Sequence, residues 1–86
     1  MKYTYHSNIR MNKRGISKEM VEFTLDYGTL DGDAYVTNKK LLHKVIHHLN
    51  KQLALAKKLI DKGGVVVVTD NGSVITTYDY ESYKNY

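Results

Sequence analysis

Between residues 38 and 62, Leu42, Ile46, Leu49, Leu53, Ala56 and Ile60 recur at spacings of 4, 3, 4, 3 and 4, with Val45 beside them. That is the heptad pattern of a packed helix, and at about 1.5 Å per residue it predicts an element nearly 40 Å long. Thr37 or Asn38 can cap its start, and Gly63-Gly64 suits its end. The seam must lie on something, either the domain's own sheet or a second copy, and spacing does not choose between them. Earlier in the chain, Met20, Val21, Phe23 and Tyr27, with Leu25 on the flank, follow helical spacing. Ser17 is placed as the N-cap of this helix, Glu19 lies near its positive end, Ile16 staples to Val21, and Gly28 is expected to stop it in a left-handed conformation. Residues 2–5 form a short extended entry, with Thr4 capping a first helix that ends near Gly15.

Strand signals fill the rest. An Asp31-Gly32 turn separates Leu30 from Ala34, Tyr35 and Val36, which predicts a short, weak strand or hairpin over residues 29–37. The β-branched run Val65 to Val68 and the stretch 74–80 flank Asp70-Asn71-Gly72-Ser73, whose Asn-Gly pair signals a tight hairpin. In the second strand Val74, Thr76, Tyr78 and Tyr80 share one face and Ile75, Thr77 and Asp79 the other, so neither is plainly the inside. The tail 81–86 either extends or frays. These elements predict an α+β domain spanning residues 1–86, in which an N-terminal helical hairpin and a long helix pack on a small antiparallel sheet.

Eighty-six residues, 42% hydrophobic and 26% charged, describe one globular domain with a modest core and argue against wholesale disorder. The absence of cysteine excludes disulfides, thiol nucleophiles and thiolate-held zinc, and fits a reducing cytoplasm. No apolar run approaches the roughly 20 residues that a membrane span needs, so no membrane role is expected. The net charge of +4 conceals a segregation. Residues 1–18 hold five cations and no acid, 19–37 hold five acids and no cation, 38–62 hold seven lysines against Asp61, and 63–86 hold Lys84 against Asp70, Asp79 and Glu81. Such alternation can steer an anionic partner, with nucleic acid the natural candidate, or hold the chain's own segments together.

The candidate chemistry lies in residues 6–17. His6, Arg10 and Arg14 recur every fourth residue, so on a helix they fall within about 80° of one face. A histidine titrates near neutrality and arginine presents a planar fork suited to phosphate, which together equip a face for an anionic substrate. Solvated basic surface is the ordinary alternative for such a face. His43 and His47 stand four apart on the long helix, but no glutamate follows His43, no third ligand is visible and lysines surround them. Neither a metal nor any other cofactor is expected, and no phosphate-binding glycine loop or serine nucleophile motif is present.

The run His6-x3-Arg10-Met11-x2-Arg14-Gly15-Ile16-Ser17, the helix ending at Gly28 and the late Gly-Val-Val-Val-Val…Val-Ile-Thr-x-Tyr hairpin resemble a small prokaryotic family, domain of unknown function 4258. That family is regarded as related to RelE/ParE-like bacterial toxins. The resemblance covers the first thirty or so residues and the last two dozen; where members carry short strands, this chain carries the long helix, as if inserted.

The resemblance implies a RelE-like fold, in which two N-terminal helices pack on a twisted antiparallel sheet, and it implies RNA cleavage. Its motif maps onto His6, Arg10 and Arg14. Metal-free cleavage needs one group to take the 2′-hydroxyl proton, another to protonate the leaving oxygen, and cations for the charge growing on phosphorus. His6 suits either proton transfer, Arg10 and Arg14 the last task, and Lys13 adds a cation for substrate. Tyr78 can donate a proton or stack a base, with Thr76 and Tyr80 beside it as substrate contacts, although tyrosines on small sheets are commonly packing residues. Arg14 has a rival role in capping carbonyls at the end of its helix. The expected function is a toxin-like, cytoplasmic ribonuclease acting on RNA, with an antitoxin or immunity protein as a partner. The alternative is a non-catalytic module whose basic long helix engages nucleic acid or a protein, including a homodimer through residues 38–62.

Overall fold

The computed structural model describes residues 2–84. It is α+β, with four helices and two separate two-stranded antiparallel sheets among the described residues. The chain divides into two compact units, Met1–Val45 and Ile46–Tyr86, with the division inside the long helix.

In the first unit, α1 (Tyr5–Arg14) begins where predicted: the Thr4 hydroxyl accepts the Ser7 amide at 3.0 Å. The helix ends at Gly15, left-handed at φ 66°, where the Ile16 amide turns back to the Met11 carbonyl at 2.9 Å. Two residues on, Ser17 caps α2 (Lys18–Tyr27) by accepting the Met20 amide at 3.1 Å. Gly28 departs from expectation. It is extended, at φ −69° and ψ 158°, so its lack of a side chain serves space and not a left-handed turn.

Strands β1 (Thr29–Asp31) and β2 (Ala34–Val36) then pair Leu30 with Tyr35, turning at Gly32, which has φ 62°. A positive φ at the first turn residue alone is the II′ geometry that favours glycine there. Thr24 of α2 and Thr37 after β2 bring their hydroxyls within 3.3 Å, tying helix to hairpin. Asn38, one of the two predicted caps, accepts the Leu41 amide at 2.9 Å and starts α3 (Lys39–Asp61). Val45 on this helix is the one apolar side chain that is buried among the described residues.

The second unit holds the remainder of α3. The helix stops at Gly63 and Gly64, with φ of 78° and 102°, whose amides donate to the Ile60 and Leu59 carbonyls at 2.8 Å. β3 (Val65–Asp70) and β4 (Ser73–Asp79) form the hairpin that Asn-Gly signalled: Asn71 and Gly72 both have positive φ, and Asp70 faces Ser73. A register shift at Val68/Thr69 interrupts the simple alternation read from sequence.

Two expectations at the C-terminal end change. Tyr80 does not extend β4 but opens a further helix, α4 (Tyr80–Lys84), so residues 80–84 neither extend as strand nor fray; residues 85 and 86 lie outside the described residues. The inner face of the hairpin is also identified. Val66, Thr76 and Tyr78 are half-buried, and α4 folds over them with the Tyr83 ring 6.4 Å from that of Tyr78. It is this short helix that covers the hairpin. The seam residues of α3 in this unit remain exposed.

Candidate nucleic-acid interface

α1 has no fully buried residue, Ser7 and Met11 being half-buried, and it is capped at both ends. The Thr4 carbonyl accepts the Asn8 amide and, from the side, the Ser7 hydroxyl at 2.9 Å and the Asn8 Nδ2 at 3.1 Å, which gathers the first turn around the cap. With the first turn fixed, His6, Arg10 and Arg14 rise about 6 Å per four-residue step along one side. All three are exposed, as is Lys13. Lys13 and Arg14 occupy the last turn, where cations complement the helix dipole.

Among the described residues, none of these cations has an ion-pair partner. The ion pair among the described residues joins Lys62 Nζ and Asp79, 3.5 Å apart and both well exposed. No acid of residues 19–37 pairs with an α1 cation, so these two oppositely charged segments are not joined by salt bridges. Lys18 lies instead over the Tyr3 ring, 5.2 Å from its centroid. His6 has no hydrogen-bond partner among the described residues, so no neighbour fixes its ring orientation.

Thr76, Tyr78 and Tyr80 belong to the second unit. Thr76 and Tyr78 share the covered face of β4, while Tyr80 lies at the start of α4, where its amide donates to the Gly64 carbonyl at 3.1 Å. Tyr80 thus serves the closure of the hairpin, a role invisible while the strand was read as continuing. His43 and His47 are both exposed on α3, and no cluster of three metal-ligating acids, histidines or cysteines occurs among the described residues.

Sequence reasoning missed a concavity in the first unit, an open groove of about 890 Å³ lined by Ile16, Met20, Val21, Phe23, Tyr35 and Leu42 among others. It is apolar. None of His6, Arg10, Lys13 or Arg14 lines it, so the basic face and the groove are separate features. The signal for the groove was present in the staple pair Ile16 and Val21, which are two of its lining residues. No helix among the described residues is long and apolar enough to cross a membrane. Comparison of the chain with protein-family models, with curated proteins and with solved structures yields no match.

Proposed function

We propose that this chain is a small RNA-directed protein of the RelE-like toxin kind, acting in the cytoplasm, which holds the phosphodiester backbone on α1 and cleaves it with the help of His6. The observation that carries the reading is the exposed, unpaired line of His6, Arg10 and Arg14 on a helix capped at both ends. The arginine forks bind phosphate oxygens and stabilise the dianionic charge that builds on phosphorus as the 2′-oxygen attacks. His6 relays a proton, either from the attacking hydroxyl or to the departing 5′-oxygen. General acid–base help of this kind contributes on the order of 10²- to 10⁴-fold, which sets the expected loss in His6→Ala. The paired test uses total RNA with wild type and His6→Ala, together with growth after induction in a bacterial host. Fragments and growth arrest from wild type alone support the reading; intact RNA and healthy cells with both overturn cleavage.

A second reading, a non-catalytic nucleic-acid module, is favoured by α3. Lys44, Lys51 and Lys58 recur every seventh residue on this helix and all are exposed, forming a cationic line on one side. Retained RNA affinity without cleavage, weakened by Lys51→Ala and Lys58→Ala together, selects this reading over the first.

A further inference from the structure

The seam of α3 raises a question that neither RNA reading answers. From Ile46 onward it is uncovered: Ile46 is 54% exposed, Leu49 37%, Leu53 54% and Ile60 75%. Four large aliphatic side chains in one line along a 23-residue helix are more than scattered surface apolar residues require. What flanks the seam identifies its occupant. Numbered as a heptad, Ile46, Leu53 and Ile60 fall at a, and Leu42, Leu49 and Ala56 at d. Lys44, Lys51 and Lys58 all fall at f, directly opposite the seam. The positions bordering the free seam are Asn50, Gln52, Lys57 and Leu59, so only one of them is charged. An acidic helix would find its cations on the wrong side. A second copy of α3 would meet no like-charge wall, because its lysines also point outward.

We infer that α3 pairs with α3 of a second copy in antiparallel orientation, about a two-fold axis near Lys51. In that register Ile46 meets Ala56 of the second copy, large against small, and Leu49 meets Leu53. Gln52 faces Gln52 and Asn50 faces Asn50 across the axis, so each amide has a donor and an acceptor opposite it. A parallel pair would instead set Gln52 against Lys57 and lose both symmetric amide pairs. Opposed helix dipoles also favour the antiparallel arrangement. The pairing leaves both f-position lysine lines on the outside.

The chain has no cysteine, which makes single-cysteine variants clean reporters. Sedimentation equilibrium of the full chain without RNA is expected to give a dimer at micromolar concentration. Leu53→Asp should weaken it at least tenfold, and the outward Lys51→Asp should leave it intact. Under oxidation Gln52→Cys should form a disulfide-linked dimer and Leu53→Cys should not. A monomeric wild type overturns the pairing. Cross-linking through Leu53→Cys but not Gln52→Cys overturns the antiparallel register, and a dimer that gives neither cross-link places the interface elsewhere. These cysteine arms read folded protein, so they stand even if Leu53→Asp fails to fold, and they involve no residue of the α1 face.

Discussion

Gly28 sits against the carbonyl of Val36, so close that a Cβ there would lie 3.1 Å from that oxygen and closer still to the carbonyl of Thr24. Both obstacles are backbone, one in α2 and one in β2, and neither can swing aside. Gly28→Ala should therefore cost about 1–3 kcal/mol, the range for forcing a methyl into occupied space. Gly15 makes the opposite case. Its φ is 66° but a Cβ would meet nothing within 4 Å. Gly15→Ala should cost roughly 1–2 kcal/mol from the left-handed backbone alone, and Gly15→Asn clearly less. Urea denaturation of the four variants, with Gly28→Asn as the last, checks both: asparagine should rescue position 15 and fail at 28.

The β3–β4 hairpin depends on its two turn residues. Asn71 has φ 49° and Gly72 φ 78°, the paired positive values that match the twist of the adjoining strands. Among the described residues α4 is the helix that packs on this hairpin, and a two-stranded ribbon is marginal by itself. Gly72→Val should thus unfold the hairpin selectively, seen as loss of amide protection over residues 65–79 while residues 18–27 keep theirs. Uniform loss across both stretches would show that the two units unfold together.

The hydroxyl contact between Thr24 and Thr37 is the side-chain hydrogen bond that links α2 to the segment after β2. Either Thr24→Val or Thr37→Val leaves the other hydroxyl part-buried without that partner. Each should cost about 0.5–1.5 kcal/mol, and the double variant should cost less than the two single losses combined. Additive losses would mean that the contact contributes nothing in solution.

What sequence revealed here follows from the range of each interaction. Thr4, Ser17 and Asn38 each serve a helix within three residues of themselves, and Asn71-Gly72 sets its turn without help, so all four elements could be read locally. Gly28 could not. Helix ends favour left-handed glycine, but here the deciding neighbour, Val36, is eight residues away. Tyr80 was misread for a similar reason: strand alternation continues through it, while its amide is taken by Gly64, sixteen residues earlier. The basic face was legible because His6, Arg10 and Arg14 share one helix. The covered face of β4 was not, because which side of Thr76 and Tyr78 is shielded depends on α4, a helix that strand alternation hides.

The α1 face makes a prediction that separates charge from geometry. Arg10→Ala and Arg14→Ala each remove one fork from the line, so each should lower RNA affinity and reduce the slope of log affinity against log salt by about 0.7, the single-strand value per phosphate contact. Thr4→Ala removes no charge. It deletes the hydroxyl that accepts the Ser7 amide at 3.0 Å, on a ten-residue helix with no fully buried residue. Losing a cap costs about 1 kcal/mol, and a short exposed helix has little else to resist fraying. Thr4→Ala should therefore weaken RNA binding while the salt slope keeps its wild-type value, because frayed arginines still meet phosphate, but fewer molecules present them in line. Fluorescence anisotropy with a labelled single-stranded RNA across a salt series measures both quantities. Equal slopes in Arg10→Ala and wild type would remove α1 from the interface, and would transfer the search for the phosphate contacts to the lysine line on α3.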